Sequence, residues 1–146
     1  MNSQKEDIVL VCIANFCRSP VAEVLLREKF GTEKYNFISA GIYPVKRVGM
    51  DHRSLKFLKS LNINLDYLHM PKKINYQMIR SARYIFGMDH LCIKILNENF
   101  SSNASKIKLF SYQNKDISII DPYKLSDEKY EKVMNDIHHL VQDFTL

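Results

Sequence analysis

Short, almost unbroken apolar runs alternate along the chain with stretches whose apolar residues recur every three or four positions. The first run, Asp7 to Ala14 (DIVLVCIA), is rich in β-branched residues and has no polar face. That is the pattern of a strand buried on both sides in a parallel sheet. Similar runs recur at Tyr35 to Ala40, Ala82 to Gly87 and Ile107 to Phe110. Helical patterns lie between and after them. Pro20 to Phe30 has an early proline and sets Val21, Val24 and Leu25 on one face, and Asp51 to Leu61 repeats Leu55, Leu58 and Leu61 at helical spacing. The clearest comes last. From Ser126, an N-cap candidate followed by Asp127 and Glu128, the stripe Tyr130, Val133, Met134, Ile137, Leu140, Val141, Phe144 runs without a fault.

Strand and helix therefore alternate from end to end, and the expected fold is α/β: one domain over residues 1–146, with a short parallel sheet of about four strands covered by helices on both faces. No repeat, low-complexity tract or linker divides it, and Pro20, Pro44, Pro71 and Pro122 stand singly as punctuation. Ligands bind such sheets beyond the carboxyl ends of the strands. The turn after the first strand, Cys12 to Ser19, is thus the place to look.

At 146 residues, 46% hydrophobic and 25% charged, the chain is large enough for one real core. No apolar run approaches the roughly 18 residues of a membrane span, and Glu6 and Asp7 precede the first apolar stretch. A cytoplasmic protein without membrane insertion is expected. Three cysteines are too few and too odd in number for a secreted disulfide scaffold, and they turn attention to thiol chemistry. The net charge of +5 and pI near 9.1 come from lysines scattered among acidic residues. That reads as a solvated surface favouring an anionic substrate, with no nucleic-acid partner.

The turn itself reads Cys12-Ile13-Ala14-Asn15-Phe16-Cys17-Arg18-Ser19-Pro20. A loop between a buried strand and a helix can aim successive backbone N–H groups at a phosphate, and the helix adds its own unpaired N–H groups and positive dipole end. In that field the thiolate of Cys12 is favoured and becomes a nucleophile. Arg18 can grip two phosphate oxygens as a planar fork, and Ser19 can donate a hydrogen bond to the sulfur. Taken alone, Cys12 reads as a small hydrophobe at a strand end. Its setting with Arg18 and Ser19 reverses that reading. Cys17 either packs or forms a reversible disulfide with Cys12. Asp121, in an Asp-Pro turn before the last helix, is the candidate acid for the leaving oxygen.

The segment Cys12 to Pro20 resembles the loop C-[LIV]-G-N-[IV]-C-R-S-P of the low-molecular-weight protein tyrosine phosphatases. The likeness extends to Val21-Ala22-Glu23, Ser39-Ala40-Gly41, Met88-Asp89 and Asp121-Pro122-Tyr123. It implies hydrolysis of protein phosphotyrosine through a phosphocysteine, with Cys12 as nucleophile, Arg18 as phosphate ligand and Asp121 as acid and then base. Neither metal nor cofactor is implied. The backbone of Ile13, Ala14, Asn15, Phe16 and Cys17, with Ser19, is expected to wrap the phosphate, and Ile13, Tyr43 and Tyr123 to line the slot for the ring. Asn15 is expected in a left-handed conformation bonded to Ser39, with His69 and Asp89 paired behind the loop. A monomer is expected, acting on a bacterial tyrosine kinase of exopolysaccharide export.

Three departures stand out: Ala14 replaces the loop glycine, Lys124 follows Tyr123 where some members have a second tyrosine, and no arginine follows His69 closely. If position 14 required a positive φ, its methyl group would cost on the order of 1 kcal/mol. Two relatives of this fold compete. A thiol-dependent arsenate reductase needs a closely spaced downstream cysteine pair, and only Cys92 is present; a protein arginine phosphatase usually has threonine where Ile13 stands.

Overall fold

A computed structural model describes residues 4–114 and 116–146. Its elements follow in the order β1 (Glu6–Cys12), α1 (Ser19–Phe30), β2 (Tyr35–Gly41), α2 (His52–Ser60), α3 (Tyr76–Ser81), β3 (Ala82–Gly87), α4 (His90–Asn99), a 3₁₀ turn (Ser101–Lys106), β4 (Ile107–Leu109) and α5 (Asp127–Asp143). The strands fall on the four apolar runs. β1 stops at Cys12, because Ile13 and Ala14 continue the apolar run but belong to the turn that leaves the sheet. The sequence pattern marks neither α3 nor α4. The first has only six residues, and in the second Leu91 faces solvent and blurs the stripe that Cys92 and Leu96 bury.

All strand pairs are parallel and the sheet order is β2-β1-β3-β4. β1 is central, with Val9 beside Ile38 on one flank and Ile85 on the other. Its residues alternate between two cores. Ile8 and Leu10 join Phe86 and the apolar faces of α1, α2 and α5, whereas Val9 and Val11 join Ile85 and the buried side chains of α3 and α4. The chain leaves β1 toward one neighbour and later returns to its other side at β3, so a crevice opens at the carboxyl end of β1. The 13–18 loop occupies it.

α1 differs from its neighbours at its start. Asp51, Asn75, Asp89 and Ser126 each accept a backbone N–H as N-caps of α2, α3, α4 and α5, but Arg18, the N-cap of α1, makes no such bond. With Pro20 at its first turn, α1 keeps its remaining N-terminal N–H groups free of side-chain acceptors and offers its positive dipole end to an anion. α5 runs from the Ser126 cap along the expected stripe, with Leu140 half-buried. At its far end Lys29 Nζ donates to the carbonyls of Val141, Gln142 and Phe144 at 2.6–2.9 Å, satisfying the acceptors a helix leaves open. No helix among the described residues is long and apolar enough to cross a membrane.

Candidate active site

The loop after β1 is shaped by what holds its carbonyls. Cys12 O accepts from Ile42 N (3.1 Å), Ile13 O from Tyr43 N (2.8 Å), Ala14 O from Val45 N (3.1 Å) and Phe16 O from Asp51 N (3.0 Å). Asn15 O accepts from His69 Nε2 (2.8 Å), and Cys17 O from Ser54 Oγ (2.9 Å). Six consecutive carbonyls are thus turned outward. Because C=O and the following N–H point oppositely across a planar peptide, the N–H groups that follow are turned inward. One shows its aim directly: Asn15 N reaches Cys12 Sγ at 3.2 Å. Gly41 permits the close approach of β2, since a Cβ there would lie 2.9 Å from Ile13 O.

Side chains complete the cradle. Asn15 holds φ at 52°, the left-handed conformation expected of it, and its Oδ1 accepts from Lys72 N at 3.0 Å. That fixes the amide, so Nδ2 donates to Ser19 Oγ at 2.9 Å. Ser19, its oxygen already engaged, can then turn its proton toward Cys12 Sγ, 3.0 Å away. The serine bonded to Asn15 is therefore Ser19 and not Ser39. Ser39 Oγ is buried without a partner among the described residues, and its backbone N instead donates to Glu23 Oε1 at 2.8 Å. Ala14 has no positive φ, so its methyl group brings no left-handed strain. Cys17 is buried beneath the loop as a free thiol, pushed up to about 12 by burial, with Asp51 Oδ2 at 4.0 Å.

Arg18 is 1% exposed. Its Nη1 donates to Asp89 Oδ2 (2.6 Å) and to Ile119 O (2.7 Å), which leaves Nε and Nη2 without a protein partner among the described residues. Burial alone would weaken the guanidinium's hold on its proton, but Cys12 and Asp89 more than offset that. Burial would likewise raise the Asp89 carboxyl, yet its bond from Arg18 holds it below the ordinary range. The bond to Ile119 also ties the loop to the segment carrying Asp121, whose Oδ1 accepts from Tyr123 N at 3.1 Å in an Asx turn.

Cys12, Arg18 and Asp121 meet in one pocket of about 120 Å³, walled by Phe16, Val45, Arg47 and Tyr123. Phe16 and Tyr123 stand edge to face with centroids 6.2 Å apart; Arg47 lies 5.0 Å over Phe16 and donates to Tyr123 Oη at 2.8 Å. Two expected wall residues are elsewhere. Ile13 packs on the core of the opposite sheet face, and Tyr43 stands exposed outside this pocket. Val45 and Arg47, two and four residues beyond Tyr43, take their place. The only sequence signal for them was an apolar and basic stretch after β2.

The sequence pattern of low molecular weight phosphotyrosine protein phosphatases matches residues 7–145. The chain belongs to this family. It is 28% identical over 143 residues to the low molecular weight protein-tyrosine-phosphatase Ptp of Acinetobacter johnsonii, with 97% of each chain covered. The crystal structure of the Erwinia amylovora tyrosine phosphatase amsI matches with a TM-score of 0.85 at 26% identity, covering 97% of this chain and 92% of that one. The arginine phosphatase YwlE from Geobacillus stearothermophilus matches at 0.83 and 23% identity over 94% of this chain and 88% of its own, a likeness of fold alone.

In this low molecular weight phosphatase, His69 and Asp89 do not pair with each other. His69 holds the loop at Asn15 O, and Asp89 holds Arg18 while its Oδ1 caps α4 through Cys92 N. Glu23, for which the sequence suggests no role beyond its place in the family likeness, is buried and binds Ser39 N, Tyr67 Oη and Arg27. Arg53 anchors the far end of the acid-bearing segment through the carbonyls of Tyr123 (2.9 Å) and Leu125 (3.1 Å).

Because an oxygen accepts the bond, His69 carries its proton on Nε2. Burial holds the imidazole below its ordinary 6.5, so the unfolded chain takes up a proton that the folded chain resists. Stability should therefore fall as the pH drops below about 6.5. His69→Gln, whose amide can donate without titrating, is expected to lower Tm near neutrality yet flatten its decline between about pH 7 and 5. Thermal melts of both proteins across that range check this, and parallel curves would clear His69 of the effect.

Proposed function

We propose that the protein hydrolyses phosphotyrosine in proteins through a phosphocysteine intermediate. The observation that carries this reading is the convergence of Cys12, Arg18 and Asp121 on one small pocket with aromatic walls. The inward N–H groups of the loop and the free edge of Arg18 bind the phosphoryl oxygens and hold phosphorus in line with Cys12 Sγ. The sulfur attacks, the S–P bond forms as the P–O bond breaks, and Asp121 gives its proton to the departing phenolate. Water then attacks phosphorus, Asp121 takes up a proton from it, and phosphate leaves with the sulfur's electron pair restored. Ser19 and Asn15 N support the sulfur as it regains negative charge.

Phe16 and Tyr123 suit a phenyl ring, and this favours phosphotyrosine over phosphoarginine now that Ile13 is not a wall. The protein partner on this reading is a phosphotyrosine protein in the cytoplasm, with a bacterial tyrosine kinase as the expected one by family resemblance. Assaying phosphotyrosine peptides, phosphoarginine peptides and arsenate reduction side by side tests it. Phosphotyrosine should be turned over best; a preference for phosphoarginine, or thiol-dependent reduction of arsenate, would overturn the reading.

A further inference from the structure

Beside the catalytic pocket, and sharing Val45 and Arg47 with it, lies a second cleft of about 790 Å³. Its walls are two backbone strips, residues 42–48 and 70–73, joined at their base where Gly41 N donates to Lys72 O (2.8 Å) and Ile74 N to Gly41 O (2.9 Å). The first strip holds the loop carbonyls of Cys12, Ile13 and Ala14, and the second holds the Asn15 side chain. Lys46, Arg47, Lys72 and Lys73 are among the residues lining the cleft, Arg47 at the edge it shares with the catalytic pocket, and its described lining residues include no carboxylate. Tyr43, Val48 and Met70, which also line it, are each more than half exposed, as is Leu68 nearby. Lysines dispersed over a surface need no partner, but a cleft combining one sign of charge with exposed apolar side chains at the mouth of a catalytic pocket does.

We propose that this cleft binds the peptide segment flanking the phosphotyrosine of a protein substrate and selects for acidic side chains close to it. The inference rests on the phosphotyrosine reading above and adds a substrate class to it. A phosphotyrosine seated on the loop brings its own backbone out past the shared wall of Val45 and Arg47, so its neighbours in sequence meet the cleft within a few residues. Arg47 is already braced on Phe16 and Tyr123, and little conformational freedom is lost when it meets a carboxylate there. Apolar contacts with Val48 and Met70 supply affinity that does not depend on charge, whereas the lysines discriminate between flanks. Single exposed ion pairs are weak, but several cations on one wall act together and are screened by salt.

Three phosphotyrosine peptides that differ only in acidic, neutral or basic flanks test this, with p-nitrophenyl phosphate as a substrate lacking flanks. The acidic peptide should exceed the basic one in kcat/KM by about tenfold or more at low ionic strength, and the ratio should shrink with added salt. Lys46→Glu with Lys73→Glu should abolish or invert that ratio, which is taken within each protein so that any loss of folded enzyme cancels. A ratio near one in the wild type, or one unchanged in the double variant, would overturn the proposal while phosphotyrosine turnover itself still stood. Binding of the same peptides to the Cys12→Ser protein, followed by fluorescence anisotropy, separates the two readings from the other side. Absent turnover with a retained acidic preference in binding would sink the phosphatase reading and keep the cleft. Equal peptide rates with oligonucleotide binding that depends on Lys46 and Lys73 would assign the cleft to nucleic acid and overturn it.

Discussion

Cys12→Ser is expected to lose phosphotyrosine turnover by at least roughly 10⁴-fold while still binding phosphate or vanadate. The substitution is nearly isosteric, and the contacts from Ser19 and Asn15 N that hold the sulfur can be made to a hydroxyl. The inward N–H groups are set by carbonyl bonds from other segments and do not depend on residue 12 carrying sulfur. Arg18 remains fixed by Asp89 and Ile119. Turnover and anion affinity should therefore separate cleanly. Single-turnover kinetics beside a phosphate titration measure both, and hydrolysis at more than about a hundredth of the wild-type rate would remove the covalent route.

Asp121→Asn should slow phosphorylation of Cys12 by something like 10²–10⁴-fold with phosphotyrosine as donor. The loss depends on the leaving group. A tyrosine phenolate, with a conjugate-acid pKa near 10, needs a proton in the transition state, whereas a nitrophenolate needs one far less. The asparagine keeps an oxygen that can accept the Tyr123 N–H, so the Asx turn survives the change. Steady-state rates would blur the contrast, because in the proposed mechanism the same side chain also serves the hydrolytic step. Burst rates on both substrates resolve it, and equal losses on the two would make Asp121 a structural residue.

The fold was legible because the buried strands announce themselves as continuous β-branched runs and α5 as an unbroken stripe. Helix α4 was not, since Leu91, Ile93 and Ile95 interrupt its face with apolar residues that are exposed or half-buried. In the site, the three residues that the structure brings into one pocket, Cys12, Arg18 and Asp121, could be named from spacing and resemblance. The partners could not. Which serine meets Asn15 depends on where a left-handed residue aims its amide, and no periodicity carries that direction. Of the expected ring slot, Tyr123 lines the pocket, but Ile13 was misplaced for the same reason: Ile13 and Val45 are equally apolar on paper, and only the loop's path turns one into the core and the other toward Cys12. Glu23 was named only within the resemblance, and its role as a buried brace for Ser39 N follows from β2 lying against α1.

The six outward carbonyls have a consequence for how the protein becomes active at all. Their donors come from residues 42 to 69, and His69 lies 54 positions from the carbonyl it holds. Within residues 12 to 18 only the bond from Asn15 N to Cys12 Sγ supports this shape, too little to hold a short peptide of the loop in it. The anion cradle exists only once β2, the start of α2 and the 69–72 segment have docked. On the proposed reading phosphate is a ligand of the assembled chain and not of its parts, and by mass action it should stabilise the native state, by about 2.7 kcal/mol at a hundred times its Kd. An anion-rich medium would in this way act as a standing chaperone for the chain, rewarding complete assembly with the same contacts that the proposed mechanism uses.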